Sequence, residues 1–302
     1  MSTFVSTANV VVLDVGGTRL RLGHIRQGMP SDQFFKCSSD CLRVVDAVQA
    51  IITLIHEYAD RIQLTPDSVV LGLPGILDHA HDRFTDCNNI RQLEGHGLKA
   101  ALEQAFACPV YLEQDIMLQL LGEQRSGIAK GCQSVFGVYF GTGIGAAYLV
   151  DGNPRGRSEA DLQAGHIPIM GQGKRCVCGN TDCVEAYACG HTLVEYSARY
   201  NCAVEDLFLE RDNKNLERDL DRFVLYQAFM IATMVTLFVP DMIVIGGGIP
   251  KMAGYPHEQL VANARNHVRK PYPSESVIID WATLDDQATL HGALALIDLN
   301  QL

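Results

Sequence analysis

Apolar residues along the chain fall into two rhythms. Short β-branched runs at 10–14, 68–73, 135–140 and 242–245 read as buried strands, each ending at or near glycine. Residues 41–61 instead carry Val44, Val48, Ile51, Ile52 and Ile55 at helical spacing, and Thr65-Pro66-Asp67 breaks that pattern. The same reading predicts helices at 97–107, 116–125, 190–200, 219–239 and 290–299. Further strands are predicted at 108–113, 144–150 and 278–281. Strands alternating with helices over this length predict α/β architecture.

Several strands deliver glycines. The first runs into Asp14-Val15-Gly16-Gly17-Thr18 and continues as a second strand through Leu20 and Leu22. That plan recurs where Val138-Tyr139-Phe140 leads into Gly141-Thr142-Gly143-Ile144-Gly145. A third strand ends in Gly246-Gly247-Gly248, and a fourth in Gly72-Leu73-Pro74-Gly75. Without a Cβ, backbone N–H groups can approach an anion closely. One Gly-Thr-Gly fits a simple tight turn equally well, but two similar hairpins facing each other would hold a phosphate tail between two lobes. The loop Asp86-Cys87-Asn88-Asn89 suits either sugar-like hydroxyls or an ordinary Asx turn. Gln114-Asp115 lies between a strand and a helix. Asp115 there fits a helix N-cap, and fits equally a catalytic or ligand-binding group at a strand's carboxyl end.

Cys176, Cys178 and Cys183 bunch in a loop rich in Gly and Asn, downstream of Gly165-His166. With His166 they supply one imidazole and three thiolates, a closed tetrahedral set for a structural Zn²⁺; free thiols are the alternative. All four positions are taken, so such a metal would not be catalytic.

Composition narrows the picture. The chain has 302 residues, 47% hydrophobic and 20% charged, enough for two lobes with their own cores. Its formal net charge of −11 lacks the basic footprint of a nucleic-acid binder. Ten cysteines in a long chain without a basic, apolar leader at its start favour a reducing cytoplasm over a disulfide scaffold. Residues 223–239 approach the length of a membrane span but include Gln227, Thr233 and Thr236, so a buried crossover helix is expected, not a membrane protein. No Gly-x₄-Gly-Lys-Ser/Thr sequence is present, which excludes a P-loop enzyme.

The order Asp-x-Gly-Gly-Thr, Gly-x-Pro-Gly, strand-end Asp, Gly-Thr-Gly-x-Gly, Gly-His, Cys-x-Cys-Gly-x₃-Cys-x-Glu and Gly-Gly-Gly resembles the ROK family of sugar kinases over nearly the whole chain. The resemblance implies an actin-like, ribonuclease-H-like ATPase fold: two α/β lobes with a cleft between them and a zinc-binding loop. It implies a small N-terminal lobe over 1–115, completed by the terminal helix at about 289–302, and a large lobe over 116–288 holding the zinc loop. By the same resemblance Asp115 is the catalytic base. Asp14, Gly16, Gly17, Thr18, Gly141, Thr142, Gly143, Gly246, Gly247 and Gly248 contact ATP, which comes with Mg²⁺. Gly75, Asn89, Gln114, Gln163, His166 and Glu185 line the sugar pocket with Asp115, and His166, Cys176, Cys178 and Cys183 hold zinc.

The family commonly has Asn where Gln114 stands and Glu where Gln163 stands. Stretches such as 108–121 and 255–273 are similar to the members that act on D-allose, which implies γ-phosphoryl transfer to its O6. Another hexose or N-acetylhexosamine, or a non-catalytic sugar-binding regulator, is the alternative. Regulators of this family carry a DNA-binding module before the first glycine motif, and here that motif already begins at Asp14. A homodimer in the cytoplasm is the expected assembly.

Overall fold

The structure is a computed structural model that describes residues 8–79, 82–87, 90–95, 97–155, 162–210 and 212–301. In chain order the strands are β1 (Val10–Val15), β2 (Arg19–Arg26), β3 (Met29–Pro30), β4 (Phe35–Ser38), β5 (Ser68–Leu73), β6 (Ile76–Asp78), β7 (Arg83–Asp86), β8 (Val110–Gln114), β9 (Ser134–Phe140), β10 (Ile144–Val150), β11 (Asn153–Pro154), β12 (Met242–Gly246) and β13 (Ile278–Trp281). The helices are α1 (Ala47–Arg61), α2 (Leu98–Phe106), α3 (Asp115–Ser126), α4 (Glu185–Ala188), α5 (Gly190–Tyr200), α6 (Lys214–Phe238), α7 (His257–His267) and α8 (Ala288–Asn300).

The chain forms two compact units, Met1–Gly131 with Leu149–Asp161 and Thr283–Leu302, and Cys132–Tyr148 with Leu162–Ala282. Sequence reasoning assigned α3 to the second lobe. It belongs to the first, because it packs along the C-terminal helix α8.

In the first unit the strand order is β3-β2-β1-β5-β8, with β4 also pairing β2. β1, β5 and β8 run parallel and β2 is antiparallel to β1. Alternation sends Val11, Leu13, Val69 and Leu71 into a core with Ile51, Ile55, Leu98 and Leu102 of α1 and α2. The opposite face meets α3 and α8. Helix α1 begins at Ala47, not near residue 41: Asp46 caps it through Gln49 N–H, and Ser38 caps a separate 3₁₀ turn over Ser39–Leu42. The β6–β7 ribbon and α7 went unread in the sequence.

In the second unit the order is β11-β10-β9-β12-β13, with β9, β12 and β13 parallel. Phe136, Val138, Ile243 and Ile245 form its core with Phe223, Ile231 and Val235 of α6. Helix α6 is long and apolar enough to cross a membrane, with mean hydropathy 1.3 over its richest window. Just over half of that window, 56%, is buried in this core, Leu237 is exposed, and the buried Gln227 is bonded to Ala188 O and Tyr255 Oη.

Two details lock α3 in place. A Cβ on Gly122 would lie 1.9 Å from Ala288 O, and one on Gly292 would lie 1.9 Å from Leu118 O, so α3 and α8 touch backbone to backbone. Next to this crossing, the fully buried Glu123 carboxylate accepts N–H groups from Ile128 at 3.1 Å, Thr283 at 2.9 Å and Leu284 at 2.8 Å. It thereby ties the loops after α3 and before α8 to one side chain. Gly122→Ala must push the helices apart and should destabilise the protein by about 3 kcal/mol, the upper range for overpacking. Urea unfolding followed by circular dichroism checks this, and an unchanged midpoint would show that the crossing yields easily.

Candidate functional site

In the first unit, chemistry collects at the carboxyl ends of β1, β5 and β8. Asp14 is the penultimate residue of β1, on the face toward α3 and α8, and its register partner on β5 is Gly72. Gly72 has no side chain to fill the space: a Cβ there would lie 3.2 Å from Asp115 Cα and 3.6 Å from Asp14 Oδ1. Two acidic residues therefore share one small space. Asp115 is the first residue of α3, and Gln114 occupies the N-cap position without a side-chain cap bond. Asp115 is thus not the N-cap residue, although its Oδ1 accepts Ile116 N–H at 2.8 Å.

Burial first, and the Asp14 charge second, push the Asp115 carboxyl up to about 7. Asp115 is half-buried, so part of its surface stays accessible, while the protein packed around its carboxyl desolvates it. Asp14 is 2% exposed, and its carboxyl is raised by burial despite its ion pair with Arg21. Among the described residues Asp14 Oδ1 has no hydrogen-bond partner. Arg21 also reaches Asp286 at 2.5 Å, and Asp286 pairs with Lys36. Burial works against ionisation of Asp286, yet Lys36 and Arg21 hold its carboxyl below the usual range.

The turn at Gly16, Gly17 and Thr18 joins β1 to β2, with Gly16 N–H bonded to Arg19 O at 2.8 Å. Buried Ser39 braces it, its Oγ donating to Gly16 O at 2.7 Å and its N–H to Thr18 O at 3.2 Å. Gln114 is buried and donates through Nε2 to Gly75 O at 2.5 Å. Gly75 itself has φ +136°, and a Cβ there would meet Asp86 O at 2.2 Å. Asn89 lies outside the described residues. Sequence reasoning missed Arg21, Ser39, Gly72 and Asp286 as parts of this arrangement. Only the register, Asp14 opposite Arg21 and Gly72, could have signalled two of them.

In the second unit, one donor atom from each of His166, Cys176, Cys178 and Cys183 lies within 4.8 Å of every other. Cys176 Sγ is 3.5 Å from His166 Nδ1, and Cys178 Sγ is 3.7 Å from Cys183 Sγ. A tetrahedral Zn²⁺ with standard ligand bonds needs S···N edges of about 3.5 Å and S···S edges of about 3.8 Å, so this donor set fits that ion. The loop is shaped for it by short backbone bonds. Cys176 N–H reaches Asn180 O at 2.9 Å, and Gly179, at φ +96°, returns its N–H to Cys176 O at 3.0 Å. The Asp182 carboxylate takes N–H groups of Gly173 and Lys174 and the Tyr187 hydroxyl.

Two residues after Cys183, Glu185 opens α4, and its Oε2 accepts Ile144 N–H at 2.7 Å. That bond ties the zinc-type loop to the glycine loop, because Ile144 follows Gly143. His166 Nδ1 is 4.0 Å from Glu185 Oε1. Gly141 O accepts Gly190 N–H at 2.8 Å, which seats Gly141 and Thr142 against the N-terminus of α5. Gly246 pairs in register with Tyr139, and Gly247, at φ +99°, lies against Phe140. The Gly246–Gly248 and Gly141–Gly143 stretches are therefore neighbours at the carboxyl ends of β12 and β9, while Gly248 borders open space. Gln163 is exposed just before the Ala164–His166 turn.

These two units, each with a sheet of parallel strands ending in glycine turns, and a Cys₃His loop in the second, define an α/β protein of the actin-like ATPase fold. The chain belongs to the ROK family, whose model matches residues 10–299. It is 26% identical over 246 residues to the DNA-binding transcriptional repressor Mlc of Escherichia coli, covering 76% of this chain and 60% of that protein. It is 25% identical over 256 residues to the N-acetyl-D-glucosamine kinase of Vibrio cholerae, covering 78% of this chain and 83% of that one. Among solved structures, a ROK hexokinase from Thermus thermophilus superposes with a TM-score of 0.79 at 25% identity, over 97% of this chain and all of that one.

Because a preformed metal site rarely exists in an unfolded chain, zinc binding here would contribute to folding. Purified protein should carry one zinc per chain by metal analysis. Cys178→Ser should lower that content and the thermal midpoint together. Substoichiometric zinc in the parent with an unchanged midpoint in the variant would leave the cysteines as ordinary thiols.

Proposed function

We propose that this chain is an ATP-dependent hexose kinase that transfers the γ-phosphoryl group to a primary hydroxyl, O6 of D-allose being the first candidate. The observation that carries the reading is Asp115: a carboxylate at a strand's carboxyl end, enclosed, and raised towards neutrality by burial and by Asp14. A base with a pKa near the working pH combines availability with driving force. Phosphoryl transfer otherwise needs mostly positioning and charge neutralisation.

Asp115 would orient the sugar hydroxyl and take its proton. Backbone N–H groups of the Gly16–Thr18 and Gly141–Gly143 turns would hold phosphate oxygens, with Gly246–Gly248 beside the adenosine. Mg²⁺ arriving with ATP would neutralise polyphosphate charge, and the unpartnered buried Asp14 Oδ1 is a donor of the type it takes. Gly75, Asn89, Gln114, Gln163, His166 and Glu185 would surround the sugar. Gln114 and Gly75 are bonded to each other, which supports their sharing one wall. A homodimer in the cytoplasm completes the proposal.

Similarity to the Mlc repressor supports a second reading, a sugar-responsive regulator without catalysis. A coupled assay across allose, glucose, mannose, fructose and N-acetylhexosamines separates the two, since a regulator would bind sugar without consuming ATP. Asp115→Asn should retain sugar binding while kcat falls by about 10²–10⁴-fold, the usual worth of a general base. A raised carboxyl must lose its proton to act, so kcat/KM of the parent should climb with pH up to about 7 and then level. That limb should be absent from the residual activity of Asp115→Asn. Parent-like turnover by the variant would reduce Asp115 to a first-turn helix residue.

Specificity should respond to Gln163. A carboxylate accepts a hydrogen bond roughly twice as strong as a neutral amide does, whereas the amide can also donate. Gln163→Glu should therefore shift the allose-to-glucose ratio of kcat/KM towards glucose by about ten- to a hundredfold, as one hydrogen bond to a charged group allows. Both sugars are measured with both proteins at fixed Mg²⁺-ATP. An unchanged ratio would mean that Gln163 does not read the sugar, and a parent inactive on allose would remove that substrate while leaving the kinase reading.

A further inference from the structure

Cys37 is the third residue of β4, and Cys41 lies in the 3₁₀ turn over Ser39–Leu42 that follows it. Their sulfurs are 3.9 Å apart, Cys41 is exposed and Cys37 half-buried. Both are remote in sequence from the Cys176–Cys183 loop, and neither has a part in the proposed chemistry. The residues between them are Ser38, Ser39 and Asp40, and Ser39 braces the glycine turn through Gly16 O and Thr18 O.

We propose that Cys37 and Cys41 form a reversible intrachain disulfide under peroxide, and that closing it loosens the Gly16–Thr18 turn. The chemistry balances with hydrogen peroxide as oxidant. One thiolate attacks the peroxide and becomes a sulfenic acid, releasing hydroxide. The second thiol then attacks that sulfur, forming the S–S bond and releasing water. Cys41 is exposed and meets the oxidant, although burial and the adjacent Cys37 push its thiol up to about 11 and slow that step at neutral pH. Half-buried Cys37 beside it then closes the bond.

Bonding must bring the sulfurs from 3.9 Å to about 2.0 Å. Cys37 cannot travel far, because it is held in register opposite Leu20 of β2. The movement therefore falls on the 3₁₀ turn, and Ser39 within it carries both bonds to the glycine turn. The link itself depends only on the two thiols. Its consequence rests on the proposed function, in which the Gly16–Thr18 turn holds ATP phosphates.

The zinc-loaded full chain is treated with hydrogen peroxide, and non-reduced peptides are mapped. Mg²⁺-ATP affinity is measured by calorimetry before oxidation, after it, and after phosphine reduction. The mapped link should join Cys37 to Cys41, and affinity should fall by about three- to tenfold, the worth of one or two hydrogen bonds, then recover. Cys37→Ser should keep the parent affinity throughout. A chromophoric chelator reports any zinc released by oxidation of Cys176, Cys178 or Cys183. Absence of the 37–41 peptide while other thiols oxidise overturns the proposal. So does a formed link with unchanged affinity, or equal loss in Cys37→Ser. If unoxidised protein binds no Mg²⁺-ATP, the proposed function fails and the coupling with it, while peptide mapping still decides the link.

Discussion

The structure of the first unit depends on the contact of α3 with α8 at Gly122 and Gly292, where two helix backbones meet with no side chain between them. Close backbone contact fixes helix position more sharply than a layer of flexible side chains, because nothing in it can change rotamer. The consequence reaches both ends of the site. Asp115 is the first residue of α3, and Asp286 lies just ahead of α8, where it takes Arg21 and so aligns Asp14. Glu123, beside the crossing, secures both neighbouring loops. A shift of one helix would move the acid, its charged neighbour and the arginine between them.

That precision serves an arrangement that disfavours itself. Asp14 and Asp115 flank the empty space at Gly72; burial raises both carboxyls, and the Asp14 charge raises Asp115 further. The sign follows from linkage. The folded chain keeps a proton on Asp115 up to about pH 7, whereas the ordinary value is 3.8, so across that window the unfolded state sheds a proton the folded state retains. This group's contribution to stability therefore declines as pH rises through the window and is flat above it. Such a cost persists only where the surrounding structure holds it in place, and it is concentrated here at the one position a base would occupy.

The second unit solves a different problem by a different route. In the loop of residues 165–183 Ile167 and Ile169 pack against the core, but Met170 and Val177 are exposed, so apolar packing holds only the start of the loop. Asp182 and Tyr187 brace the rest through hydrogen bonds, and the four donors within 4.8 Å of one another would add to that order on binding one ion. Glu185 passes that order on to the glycine loop through Ile144 N–H. The Cys₃His loop, the glycine turn and Glu185 are linked in one chain of short contacts.

What the sequence determined by itself was local. Runs such as Val10–Val15 and Ser134–Phe140 could only be buried strands, the glycines after them had to be turns, and three cysteines with His166 had to meet if they bound one ion. Boundaries followed less well: the apolar spacing from 41 onward suggested one helix, but Ser38 and Asp46 cap two separate segments. The tertiary structure alone decided what depends on register and long-range packing. Gly72 looks like a weak point in a strand until its partners Asp14 and Asp115 are seen to need the empty space. Arg21 and Asp286 are 265 positions apart, and Asp115 read equally well as a helix cap until Gln114 was found in that position. Periodicity records which face of an element is apolar. It does not record which elements become neighbours, and the charges in this site acquire their properties from those neighbours.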